Sequence, residues 1–302
     1  MQKWKVGGVD LKLPYMFGAG VCKTPESTAQ WIEVAPVVSG SYTMEARAGN
    51  SGKVLWPETL EEFLDEGYGL NNFGMPNEGV LSASHKLASL ESEYPLIVSV
   101  AGFNLQEFVA AAKILAQIDN VDAVEFNLGC PNTESEIFSF NLRFVESLLS
   151  ALADMKFHKS SWFKLSPFSN PAEIKYLAKL FGDFNENLEM VVVTCNTMPN
   201  CYAGKGRIDS VTGQASMSGK FLKPRSVGAT MDFRSQLDSS IDICSMGGIT
   251  VADDILDFLD AGAAAVGFTS IAYWAGNPSA FNDHFFSEQN ASRFFDFMKD
   301  NI

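Results

Sequence analysis

The stretch PLIVSVAGFNLQEFVAAAKILAQIDNVDAVEFNLGCPN, Pro95 to Asn132, decides the fold. Its first eight residues, PLIVSVAG, are apolar nearly throughout, as a parallel strand covered on both faces requires. Asn104, with Glu107 three positions later, is a capping signal that opens the helix LQEFVAAAKILAQI. A second apolar run, DAVEFNLG, follows at once. Strand, helix, strand is the unit of a parallel sheet. The second strand runs directly into Asn-Leu-Gly-Cys-Pro-Asn, which places Cys130 between two asparagines where a buried strand emerges.

The same unit repeats outward from this stretch. SWFKLSP, MVVVTCN, IDICSMGG and AAAVGFTS read as further strands. Asn170 with Glu173 opens PAEIKYLAKLF, with Pro171 at the first helical position and an end expected near Gly182. Thr250 with Asp253 is expected to open VADDILDFLDAG, ending near Gly262. Such alternation gives a doubly wound sheet or a barrel. The number of units, and the Gly-rich or polar residues after nearly every strand, favour an α/β protein of the (β/α)8 TIM barrel type. A chain of 302 residues suits one such domain spanning 1–302. The irregular region from Gly40 to Ser84 is expected to be an insertion over the C-terminal mouth, with a small hairpin.

Composition narrows the function. A net charge of -14 and the lack of a basic run argue against nucleic acid as a partner, because binding phosphates needs clustered Lys and Arg. The N-terminal MQKWKVGGVDLKLP has no apolar core of signal-peptide length, and no segment reaches the roughly 18 uninterrupted apolar residues of a membrane span. The chain reads as soluble and cytoplasmic. Five cysteines form no CxxC pair, and three histidines are scattered without ligand spacing. No metal site is expected, and any chemistry must rest on something other than a histidine triad.

Several strand ends carry groups suited to a ligand. CSMGGIT and VGFTSIA leave consecutive late strands, where barrels commonly hold a phosphate. Gly247 and Gly248 would let backbone amides approach an anion, and Thr269 and Ser270 would add hydroxyls; tight turns are the plainer reading. Lys164 ends an apolar strand, either as a rim ion-pair partner or beside the electron-rich edge of a cofactor. Asn71, Asn127, Asn132 and Asn196 all sit at strand ends or rim segments. Singly each suits a turn; converging on one cavity, they suit a flat heterocycle with alternating C=O and N–H groups. Cys130, in an exposed loop, is either structural or a base, since a free thiol has a pKa of about 8.5. Cys195 and Cys244 read as small buried hydrophobes, and Cys22 stays open.

Taken together, FGAGV, SYTMEARAGN, NNFGMPNEG, NLGCPN, FKLSP, CNTMPN, SGKFLKP, GGI and GAAAVGFTS resemble the dihydroorotate dehydrogenase family, flavin enzymes on a (β/α)8 barrel. The ordered series covers nearly the whole chain. The resemblance implies that Cys130 removes the C5 proton of dihydroorotate while C6 delivers hydride to N5 of FMN. It places Asn71, Phe73, Asn127, Asn132, Asn196 and Thr197 around the pyrimidine, and Gly74 and Met75 near its carboxylate. It places Ala19, Gly20, Gly40, Ser41, Asn127, Lys164 and Cys195 against FMN, together with Gly219, Gly247, Gly248, Thr269 and Ser270. A cysteine base is similar to the soluble branch, and the short loop after Asn132 to its homodimeric, fumarate-using members. The implied partners are a small pyrimidine and a soluble electron acceptor, with no nucleic acid and no membrane.

One departure from the family matters, beside smaller drifts at Gly18, Ala19 and Thr269. Gly40 stands where the family has a lysine before Ser-x-Thr that touches both the carboxylate and the flavin. Lys23 or Arg47 would have to substitute. Three other readings stay open: a flavin enzyme for a pyrimidine or cyclic amide lacking the carboxylate, a non-catalytic barrel, and a reductase of uridine in tRNA, which the acidic charge disfavours.

Overall fold

In a computed structural model, which describes residues 4–129, 137–167 and 170–301, eight parallel strands close into a barrel. In chain order they are β1 (Tyr15–Cys22), β2 (Val37–Tyr42), β3 (Leu96–Val100), β4 (Ala123–Asn127), β5 (Ser160–Lys164), β6 (Met190–Thr194), β7 (Asp242–Met246) and β8 (Ala265–Phe268). Each pairs in parallel with its neighbours in sequence, and β8 closes on β1. The helices between them are α1 (Pro25–Trp31), α2 (Val80–Leu87), α3 (Leu105–Leu115), α4 (Leu142–Asp154), α5 (Pro171–Phe184), α6 (Lys223–Gln236) and α7 (Asp254–Asp260). A last helix, α8 (Glu288–Asn301), follows two short ones after β8.

Strand residues alternate between two cores, because successive side chains point to opposite faces. Phe17, Val98, Val124, Phe126, Phe163 and Val192 pack outward under the helices. Met16, Ile97, Ala123, Trp162, Val191 and Cys244 fill the barrel interior. Trp4, Val6, Val9 and Leu11, on and beside an N-terminal hairpin, join that interior cluster. The same alternation turns Ser99, Glu125, Asn127 and Lys164 inward, two residues or more beyond the apolar plug on their strands. Polar residues therefore line the mouth because the period of two continues past the point where apolar residues stop.

The expected helix after Asn104 forms, with the Asn104 side chain accepting from the Glu107 amide at 3.0 Å. Two expectations are corrected. α5 runs through Gly182 to Phe184, since Gly182 faces open space and needs no left-handed turn there. Thr250 does not cap α7: the Asp254 carboxylate accepts from the amides of Thr250 and Val251, at 2.8 and 3.1 Å, and the helix starts three residues later than expected.

The cover over the mouth is larger than a hairpin. Leu55–Trp56 and Gly69–Asn71, inserted after β2, combine with Met198–Tyr202 and Gln214–Ser218, inserted after β6, in a four-stranded antiparallel sheet. Lys53 and Asp209 lock the two insertions together through a 2.7 Å bond from the Lys53 amide to the Asp209 carboxylate. Phe63, on the helix Leu60–Glu66, stacks on Trp274 at 4.3 Å, and the Trp274 indole donates to the Pro57 carbonyl. The lid is thereby anchored to the segment after β8.

Candidate active site

A cavity lies between this lid and the C-terminal strand ends. Ala19 and Gly20 of β1, Gly40 and Ser41 of β2, and Asn127 and Lys164 at the ends of β4 and β5 form one part of its wall. Cys195, Asn196 and Thr197 after β6, and Gly219 before α6, continue it. Gly247, Gly248, Thr269 and Ser270 line it from the turns after β7 and β8, while Asn71, Phe73 and Met75 descend from the lid. The expected residues thus converge, with three exceptions. Gly74 is absent from the lining; its carbonyl accepts from Arg47 Nε at 3.2 Å. Cys130 and Asn132 lie outside the described residues.

A chain of hydrogen bonds orders the polar side. Asn196 Nδ2 donates to Asn127 Oδ1 at 3.1 Å, and Asn127 Nδ2 donates to Ser41 Oγ at 2.9 Å. Ser41 and Ser99 share a 2.7 Å bond, and Ser99 Oγ donates to Glu125 Oε1 at 2.8 Å. A hydroxyl has one proton to give. Ser99 spends its own on the carboxylate, so Ser41 must donate to Ser99, and the whole chain runs one way toward Glu125. Each of the two asparagine amides has two N–H bonds and spends one here. The second N–H of each remains for a ligand among the described residues.

Glu125 also faces Lys164, whose ammonium lies 3.9 Å away with both side chains buried. Glu125 Oε2 has no hydrogen-bond partner among the described residues. At that length the pair leaves most of the ammonium's donors unspent. Lys164 is therefore a buried cation positioned by a carboxylate behind it and open toward the cavity.

The other expected contacts vary in kind. Thr269 Oγ1 donates to the Ala19 carbonyl at 3.3 Å, tying the last strand to the first. Gly248 has φ +89, and a Cβ there would lie 2.2 Å from the Lys223 amide nitrogen, so only glycine lets this turn reach α6. Cys195 is buried and its thiol is pushed up to about 11 by desolvation, a neutral wall residue. Cys22 and Cys244 are fully buried in the core, and burial raises both thiols far above the ordinary range.

Gly40 has φ +111, and a Cβ there would meet the Ser99 carbonyl oxygen at 2.6 Å and the Tyr42 amide at 2.9 Å. No side chain can be grown from this position in this backbone. Gly40→Ala is expected to lower stability by about 1–3 kcal/mol, read as an earlier midpoint in urea unfolding. An unchanged midpoint would show that the β2 end relaxes freely.

The sequence passed over much of the aromatic wall. Phe268, Tyr273 and Trp274 line the cavity, as do Ser218 and Leu222 from the second insertion. The aromatic pair Tyr273-Trp274, three residues beyond Ser270, was the available signal. Lys23 also lines the cavity, with its ammonium 3.3 Å from the centre of the Phe73 ring and 4.8 Å from that of Tyr273. Burial pulls its pKa down to about 8. Arg47 is engaged elsewhere, over the Phe103 ring at 4.8 Å.

Comparison with known proteins decides what this arrangement belongs to. The family model described as dihydroorotate dehydrogenase matches residues 1–283. The chain belongs to the dihydroorotate dehydrogenase family. Within that family it is 30% identical over 268 residues to the dihydroorotate dehydrogenase B (NAD(+)) catalytic subunit of Staphylococcus carnosus, covering 86% of this chain and 83% of that one. It is 31% identical over 294 residues to dihydroorotate dehydrogenase A (fumarate) of Lactiplantibacillus plantarum, covering 92% and 89%. Near-equal identity to both kinds leaves the acceptor class unassigned by descent. A solved structure of DHODH from Eimeria tenella, in complex with ferulenol, shares the fold with a TM-score of 0.75 at 17% identity, covering 94% of this chain and 83% of that one.

Proposed function

We propose that this chain oxidises dihydroorotate to orotate in pyrimidine biosynthesis, with FMN as cofactor and Cys130 as base. The observation that carries the reading is the one-way hydrogen-bond chain ending at Glu125. It leaves N–H donors of Asn127 and Asn196 facing the same cavity as the Lys164 ammonium. A planar ring with carbonyl acceptors is what such fixed donors recognise.

The residues present fit a flavin. Lys164 is a buried cation with a single distant acidic partner among the described residues, the Gly247–Gly248 turn offers backbone amides, and Ser270 opens a helix beside them. When bound, a flavin would supply a two-electron sink for the hydride leaving C6 of the substrate. Lys164 would hold the edge where negative charge collects on reduction, and its Glu125 partner keeps it oriented. Asn71, Asn127, Asn196 and Thr197, with Asn132, would hold the pyrimidine; Phe73 and Met75 would border it from the lid, while Gly74 between them lies outside the lining. Cys130 would take the C5 proton, so the substrate loses a proton and a hydride and gains one C=C bond.

The remaining parts of the proposal concern partners. No helix among the described residues is long and apolar enough to cross a membrane. Fumarate is the proposed acceptor, a homodimer the proposed assembly, and the cytoplasm the proposed location. Exposed Tyr202, Val211 and Phe221 give the lid side an apolar surface for such a dimer, and light scattering tests it.

The deciding experiment is anaerobic visible absorbance of the purified protein before and after dihydroorotate. Bleaching of a flavin band is the expected result, followed by its return when fumarate is added. A yellow protein that stays yellow with dihydroorotate but bleaches with dihydrouracil would replace the substrate. A colourless protein that takes up no FMN would overturn the function.

A further inference from the structure

We infer that Lys23 is the specificity-determining cation of this cavity, the group that pairs with a carboxylate carried by the substrate. This rests on the function proposed above and names how that site selects its ligand.

The chain is acidic overall, yet its cavity is not. Among the described lining residues the charged side chains are Lys23 and Lys164, and none is a carboxylate. The two lysines enter from opposite sides, because β1 and β5 stand four strands apart in a closed ring of eight. Lys164 has its own carboxylate behind it at 3.9 Å. Lys23 has no acidic partner and no hydrogen bond among the described residues; its head is held on the faces of Phe73 and Tyr273. Aromatic faces attract a cation but accept few hydrogen bonds, so the three N–H donors of this ammonium are unspent.

Burial without a counter-ion disfavours the charged form, consistent with the lowered pKa of Lys23. An arriving anion reverses that cost and gains charge-assisted bonds. The clamp is also well placed. Phe73 begins the Gly74–Met75 turn, whose residues have positive φ and whose neighbour Met75 lines the same cavity. Tyr273 comes from the helix after β8, and the two rings stand 5.5 Å apart, so lid and barrel together fix the ammonium. The alternatives fail on geometry. Arg47 is committed to the Gly74 carbonyl and the Phe103 ring, and Gly40 cannot carry a side chain. A carboxylate-free substrate would leave Lys23 without purpose, so the selected class is a pyrimidine bearing a carboxylate.

The test is equilibrium titration of the FMN-loaded protein with orotate and with uracil, which lacks the carboxylate, followed by the shift of the flavin spectrum. Wild-type protein is expected to prefer orotate. Lys23→Met should weaken orotate about 10- to 100-fold while leaving uracil within about twofold, and Lys23→Arg should recover most of the loss. Uracil binding doubles as the control for folding of each variant. Equal loss of both ligands, no loss of either, or a wild-type protein that does not discriminate would overturn the role of Lys23 while leaving the dehydrogenase reading standing. A wild-type protein that binds neither ligand and is not bleached by dihydroorotate would overturn that reading, and this inference with it.

Discussion

Cys130→Ala is expected to slow anaerobic bleaching of the flavin by dihydroorotate by about 10²- to 10⁴-fold, the usual contribution of a positioned base. The flavin itself should remain bound with its spectrum little changed. The structure sharpens this expectation by removing the competitors. Of the five cysteines, Cys22, Cys195 and Cys244 are buried, with thiols held neutral by desolvation. Cys201 is half-buried in the lid sheet, outside the cavity lining, and its thiol is also raised. No histidine lines the cavity among the described residues, and no carboxylate does either. Among the described lining groups, Lys23 is the one whose deprotonated form burial brings near neutral pH, at about 8. If the alanine variant bleached at the wild-type rate, Cys130 would be dismissed as base, and Lys23 would be the next group to replace. A thiol base also predicts that the wild-type rate rises with pH toward a free thiol's value near 8.5, and that the variant loses this rise.

The legibility of this molecule in its sequence follows from the physics of each part. Six of the eight barrel strands were readable because parallel strands covered on both faces are unbroken apolar runs. β1 and β2 were not, since YMFGAGVC and VVSGSY are interrupted by Gly and Ser. Both strands also shift register against their neighbours, between Phe17 and Cys22 and between Ser39 and Tyr42. Those interruptions fall at the cavity, which Ala19, Gly20, Gly40 and Ser41 line. The lid was half-legible. Its strands are two to five residues long, too short for periodicity to register, and Asn71 finds its register partner Ser216 far along the chain. Asparagines at strand ends could be noticed one by one. Their common direction of hydrogen bonding depends on Ser41, Ser99 and Glu125, and no local pattern contains all three. Lys23 could be named as one of two candidate substitutes for the missing family lysine, but its placement was hidden, because its two aromatic partners lie in segments 50 and 250 residues away by sequence number.

Lys164→Met is expected to carry the largest effect on stability, and its reason lies in Glu125. That carboxylate is fully buried on an inward position of β4, with Ser99 and Lys164 as its polar partners and one oxygen unpaired among the described residues. Removing one member of a buried pair leaves an uncompensated charge, which typically costs about 3–5 kcal/mol. The apo form of Lys164→Met should therefore unfold at markedly lower urea. Adding Glu125→Gln removes the stranded charge while keeping an acceptor for Ser99, and should restore much of the loss. Flavin retention should behave differently. If Lys164 holds the cofactor directly, both the single and the double variant lose FMN on gel filtration. If Lys164 merely balances Glu125, the double variant regains FMN together with its stability. A double variant that is stable but colourless separates the binding role from the structural one, and a stable yellow double variant would assign Lys164 to the fold alone.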